Sequence, residues 1–216
     1  FDGRFWQMPP RRVLPRPLQR PHPPLWGATS SEDGHRQVGA LGLGLCSFAV
    51  GVPPEEVKAK IDIYRAALAG CTRPVGAFVN ADAATFTMTL CAPDRAAALA
   101  AARRSFEWYP KAGARLIGSV ARWMRETGDD LGTYAYAEDL TAVDESGALD
   151  LLSLEYLVES GACVVGTPDD CLAACRRYEE AGVDTLLCLV NPYDIPHEAV
   201  MQTIELMGRE VIPHFR

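Results

Sequence analysis

Leu25-Trp26-Gly27-Ala28-Thr29-Ser30-Ser31-Glu32-Asp33 is the stretch on which the fold turns. The apolar run from Pro24 to Ala28 passes directly into hydroxyl side chains able to cap a helix. Two acids suited to a first turn follow, and then Val38 and Leu41. That order is strand, turn, helix. Gly42 to Val50 begins a second unit, an apolar run interrupted by glycine. Pro53-Pro54-Glu55-Glu56 opens its helix, and Val57, Ile61, Tyr64 and Leu68 recur at helical spacing. A third unit has Ala84 to Leu90 as a β-branched, aromatic strand and Asp94 as the cap of an alanine-rich helix predicted to run through Phe106. Three strand-then-helix units in succession predict a parallel sheet.

The carboxy-terminal unit is the cleanest. Thr167 caps a helix whose first turn is Pro168-Asp169-Asp170, and Gly182 ends it. Asp184 to Val190 is a strand, and Pro196-His197-Glu198 starts a closing helix with Val200, Ile204, Met207 and Val211 on one face. Residues 1–24, rich in proline and arginine, read as an extended connector or irregular hairpin. Between 107 and 159 the periodicity loosens into an insertion-like region, with a possible helix at Arg115 to Arg125, a break at Gly128 and another helix near Leu151 to Glu159. The strand candidates number four. A (β/α)8 barrel needs eight such units in about 250 residues. Four cannot close one, so sheet edges are expected to stay open unless a further segment or a second copy covers them.

Composition narrows the functional classes. With 216 residues and 48% hydrophobic content the chain can bury a sizeable core. Its net charge of -7 and pI near 5.1 leave no basic surplus for a nucleic acid or an anionic membrane. No run approaches the roughly 18 apolar residues of a membrane span, so a cytoplasmic small-molecule protein is the expectation. The seven cysteines sit mostly in apolar runs and read as reduced. Cys171 and Cys175 share a helix face without neighbours that would complete a zinc set, so no metal is expected. Gly42-Leu43-Gly44 lacks the third glycine of a dinucleotide fingerprint. Trp6, Trp26, Trp108 and Trp123 are too scattered for a base-stacking platform and read as core or pocket lining.

Several motifs, in order, carry a resemblance. Phe1-Asp2-Gly3-Arg4-Phe5-Trp6, Val13 to Pro17, and Gln19-Arg20-Pro21-His22-Pro23-Pro24-Leu25-Trp26 followed by Ala28-Thr29-Ser30-Ser31 resemble the middle of luciferase-like flavin-dependent monooxygenases. Val165 to Asp170, Tyr178 to Val183, Ile195 to Glu198 and Val211 to Arg216 are similar to the final barrel unit of that family. The resemblance implies an α/β fold, the second half of a TIM (β/α)8 barrel, with 1–216 as the carboxy-terminal part of one domain. It implies oxidation of a small organic substrate by reduced FMN and dioxygen, the flavin coming from a separate reductase, and a homo-oligomer at full length. Relatives use a deazaflavin instead. Residues contacting the reactive part of the flavin are expected from the first half of the barrel, so no catalytic residue is assigned. Position 1 is Phe, and the expectation is an amino end that is truncated.

In that family the turn after the fifth strand holds the flavin phosphate, and it maps here to Ala28, Thr29, Ser30 and Ser31. Two hydroxyls beside the free N–H groups of a helix start suit a phosphate, although one serine could simply cap the helix, and Glu32 and Asp33 must point outward. His22 lines the pocket or packs on Trp26. His197 touches flavin or substrate, or merely begins a helix. His214 reads as a surface residue, and Asn191-Pro192-Tyr193 departs from the glycine-containing loop of many members. Tyr134 and Tyr136 form a lid or anchor the insertion. The alternatives are a non-catalytic chain that keeps the fold, and a deazaflavin-dependent oxidoreductase.

Overall fold

A computed structural model describes residues 1–128, 141–142 and 144–215. Five parallel strands form its sheet: β1 (Trp26–Thr29), β2 (Gly44–Ser47), β3 (Ala83–Cys91), β4 (Val164–Gly166) and β5 (Thr185–Leu189). β1 pairs with β2 and β2 with β3, while β4 and β5 both pair with β3. Helices follow the strands: α1 (Glu32–Ala40), α2 (Pro54–Ala69), α3 (Arg95–Thr127), α4 (Leu154–Ser160), α5 (Pro168–Glu180) and α6 (His197–Leu206). This is a partial barrel of strand-helix units.

The capping chemistry predicted from sequence sets the helix starts. Ser31, Asp94 and Thr167 each accept a hydrogen bond from a backbone N–H in the first turn, and Thr167 with Asp170 completes a capping box. Pro54 opens α2, where a missing N–H costs nothing. Three expectations need correction. The sheet has a fifth strand, β4, because three wholly buried residues pair with Thr89–Cys91 without any alternation to announce them. The alanine-rich helix does not stop at Phe106 but continues to Thr127, carrying Pro110 inside it and absorbing the separate helix foreseen at 115–125. On α6 the buried face holds Thr203 and Leu206, whereas Ile204 is half exposed. Thr203 turns inward because its hydroxyl donates to backbone oxygen and accepts from the Cys91 N–H at 3.1 Å.

Alternation along the strands divides the sheet into two faces. Leu45, Ala83, Leu186 and Cys188 face the helices and join Val57, Ile61, Tyr64, Cys171, Cys175 and Tyr178 in one core cluster. Cys171 and Cys175 are thus core residues. The opposite face carries the registered rows Ala28–Cys46–Ala84–Thr185 and Phe86–Leu187, and Leu187 is half exposed there. β1 and β5 pair on one side only among the described residues. None of the four tryptophans is buried, which corrects their reading as core; Trp108 instead stacks on Tyr193 at 4.1 Å and pins the 191–194 loop to α3. The first 24 residues hold an isolated bridge between Asp2 and Gln7 and are mostly exposed. No helix among the described residues is long and apolar enough to cross a membrane. Tyr134 and Tyr136 lie outside the described residues.

Tyr64 fastens the ends of the sheet remote from the capped turn. Fully buried, its hydroxyl donates to the carbonyls of Leu43 at 3.0 Å and Asn80 at 3.2 Å. Burial pushes its pKa up to about 12, so the donor proton is kept. Tyr64→Phe leaves those buried carbonyls a donor short, and the expected loss is about 1–2 kcal/mol, seen in urea as a lower midpoint at unchanged slope.

Candidate functional site

The carboxyl ends of β1 and β2 open onto a cleft of about 620 Å³. The turn Thr29-Ser30-Ser31, with Ser47 and Lys60, gives its polar lining, and Phe48, Val50, Phe86 and Ile117 its apolar lining. Phe48 and Phe86 meet edge to face, with ring centroids 5.3 Å apart. Ala28, Thr29, Ser30 and Ser31, the four residues singled out in the sequence, all line this cleft. Cys46 lies beside Ala28, and burial pushes its thiol up, which keeps it protonated near neutral pH.

The turn is short because α1 begins at once. Ser31 caps it, its Oγ accepting from the Gly34 N–H at 3.1 Å while its carbonyl accepts from the His35 N–H at 3.0 Å. The capping role is therefore real. It does not exhaust the turn, since helix geometry leaves the N–H groups of Glu32 and Asp33 without intrahelical acceptors. Gly34 sits where any Cβ would collide with the Thr29 side chain, so the first turn of α1 lies directly against the end of β1. Glu32 and Asp33 are exposed, and Asp33 pairs with Arg36 one helical turn along.

Two residues that sequence reading missed hold this turn. His35 is wholly buried. Its Nδ1 donates to the Ser31 carbonyl at 2.7 Å, which leaves Nε2 to accept from the Ser47 hydroxyl at 2.9 Å. Desolvation lowers its pKa and favours the neutral ring, whose Nδ1–H tautomer serves both partners. The second residue is Lys60 of α2, whose Nζ donates to the Ser30 carbonyl at 3.1 Å and which lines the cleft. A signal for His35 existed in its spacing from Val38 on one helical face; Lys60 arrives from the following unit and gave none.

The other histidines fall outside the cleft. His22 stacks on Phe78 at 4.6 Å, and its Nε2 accepts from the Ala77 N–H at 2.8 Å, so its partner is Phe78 rather than Trp26. His197 is the exposed first residue of α6, and His214 is exposed near the carboxyl end.

A family model described as luciferase-like monooxygenase matches residues 1–185. The uncharacterized protein y4wF of Sinorhizobium fredii (strain NBRC 101917 / NGR234) is 27% identical over 229 residues, covering 98% of this chain and 54% of that protein. Among solved structures, monooxygenase RslO1 from Streptomyces bottropensis superposes with a TM-score of 0.62 at 20% identity, covering all of this chain and 55% of that one. An F420-dependent secondary alcohol dehydrogenase in complex with an F420-acetone adduct gives 0.60 at 18% identity, with 100% and 55% coverage. The oxygenating constituent of 3,6-diketocamphane monooxygenase from Pseudomonas putida, in complex with FMN, gives 0.57 at 20% identity, with 88% and 48% coverage. The chain spans about half the length of the relatives it matches.

Two outcomes follow from the turn. Gly34→Ala forces the helix start away from Thr29 and is expected to lower stability by about 1–3 kcal/mol in thermal unfolding. For His35 the folded pKa lies below the ordinary 6.5, so the unfolded chain takes up the proton first as pH falls. Its contribution is complete above about pH 6.5 and is lost from there down through the folded value. His35→Asn, which can still donate to the Ser31 carbonyl, is expected to flatten that slope in urea unfolding at stepped pH; a wild-type slope retained by the variant would assign it to another group.

Proposed function

The chain belongs to the luciferase-like monooxygenase family, and on that premise we propose that it provides the phosphate-binding end of a monooxygenase using reduced FMN and dioxygen to oxidise a small organic substrate. The observation that carries this reading is the polar turn in a largely apolar cleft, at the carboxyl ends of parallel strands, where barrel enzymes keep their sites. The residues present fit the group. A phosphate meets the Ser30 and Ser31 hydroxyls, the open N–H groups of α1 and the positive end of its dipole, while Phe48, Phe86 and Ile117 offer apolar surface to a flat ring system.

When bound, reduced flavin supplies the electrons that activate dioxygen, and the chemistry belongs to it. This chain's part is placement. His35 and Lys60 occupy the carbonyls of Ser31 and Ser30, so the turn presents donors rather than acceptors to an anion. A flavin reductase as electron source, a homo-oligomer at full length and a cytoplasmic setting belong to the same proposal.

A deazaflavin-dependent oxidoreductase is the second reading, favoured by the F420-dependent secondary alcohol dehydrogenase whose fold superposes over the whole chain. Anaerobic titration of the 216-residue chain with oxidised and reduced FMN, and in parallel with the deazaflavin F420, separates the two. Saturable FMN binding, weakened about tenfold by Ser30→Ala and by Ser31→Ala (~1.4 kcal/mol each), is the expected result. Binding of F420 alone favours the second reading, and a folded chain that binds neither favours the non-catalytic reading.

A further inference from the structure

The cleft contains a single charged side chain among the described residues that line it, and that side chain is Lys60. Lys60 comes from the middle of α2, thirty residues beyond the turn, and it is only partly exposed. Its Nζ spends one donor on the Ser30 carbonyl at 3.1 Å, and an ammonium has three. Glu32 and Asp33 stand exposed in the first turn of α1, with Arg36 already paired to Asp33. An anion at the turn therefore faces Lys60, which makes no ion pair among the described residues, while Glu32 and Asp33 on α1 are directed to solvent. With apolar walls on the other sides, that cation acts at lower effective dielectric than on an open surface.

We propose that Lys60 reads the charge of the ligand's phosphate and makes this site selective for a phosphorylated flavin over the same flavin without phosphate. The inference rests on the flavin reading above and adds to it the residue that decides between two forms of one ligand. Lys60 touches the turn now through Ser30; with ligand present its two remaining donors face the phosphate oxygens. The serine hydroxyls and helix N–H groups give direction to the phosphate, and Lys60 supplies the positive charge. A purely structural Lys60 would affect every flavin alike.

The test compares FMN with riboflavin on the full 216-residue chain, by quenching of flavin fluorescence at low salt, with Lys60→Gln and Lys60→Arg alongside. Gln keeps a donor for the Ser30 carbonyl and loses the charge; Arg keeps the charge. Urea unfolding of both variants reports whether the fold is intact. Wild type is expected to prefer FMN over riboflavin. Lys60→Gln is expected to weaken FMN roughly ten- to hundredfold, the range of a charge-assisted hydrogen bond, while riboflavin changes by less than about twofold. Lys60→Arg restores most of the preference, and added salt erodes it in wild type but not in Lys60→Gln. Equal weakening of both flavins by Lys60→Gln, or an unchanged FMN affinity, overturns the role given to Lys60 and leaves the flavin reading in place. A folded wild-type chain that binds neither flavin overturns both.

Discussion

A continuous line of hydrogen bonds runs from the centre of the sheet to the capped turn, and the site depends on it. The Thr85 hydroxyl donates to the Ser47 carbonyl at 3.0 Å, the Ser47 hydroxyl meets Nε2 of His35, and Nδ1 of His35 donates to the Ser31 carbonyl. Four residues from three strand-helix units are joined in this way, all but the last buried. In a low-dielectric interior such a line is favourable only when every member finds its partner. The position of Ser31 is thereby referred to β3, the strand on which β2, β4 and β5 all register. The same strand sends Thr87 to the Ala162 carbonyl at 3.1 Å and receives the Tyr178 hydroxyl at 3.2 Å. Hydroxyls on its helix-facing side, which look misplaced in a core strand, are what tie the units together.

Around the turn, acids and phosphate chemistry stand in an arrangement that only the third dimension resolves. Glu32 and Asp33 favour the amino end of α1 through the helix dipole, yet they would repel an anion bound there. Both are directed to solvent, Asp33 being about 83% exposed and paired with Arg36. The helix is thus stabilised by charges that leave the cleft side to hydroxyls, N–H groups and Lys60. Local stability and ligand attraction use different faces of the same turn.

How far the sequence foretold this differs from element to element. Caps, prolines and acidic first turns made the starts of α1, α2, α3 and α5 readable, because those signals act within four residues. β4 was not readable: Val164-Val165-Gly166 is uniformly buried, with neither alternation nor length. α3 reads as two pieces because the periodicity loosens after Phe106, and the structure carries the helix through Pro110, whose missing N–H a helix of 33 residues tolerates once its buried stripe of Ala98, Ala102 and Phe106 is packed. Ser30 and Ser31 could be named from their own neighbourhood. His35 had only its spacing from Val38 on one helical face to mark it, and Lys60 nothing, since a lysine in α2 has no sequence relation to a carbonyl thirty residues earlier.

Only Ser30 and Ser31 separate Thr29 from Glu32. A passage that short has no slack. One inserted residue would turn α1 by roughly 100° about its own axis, swinging His35 off Ser47, Val38 off Gly27 and Gly39 off the α2 backbone that it touches. The connection from α2 to β3, residues 70–82, is longer and is held at separate points: the Val75 N–H on the Leu41 carbonyl, Ala77 and Phe78 on His22, and the Asn80 and Asp82 carbonyls at Tyr64. Insertions and deletions among descendants of such a chain would therefore gather between those points, and the turn would stay constant in length even where its side chains changed.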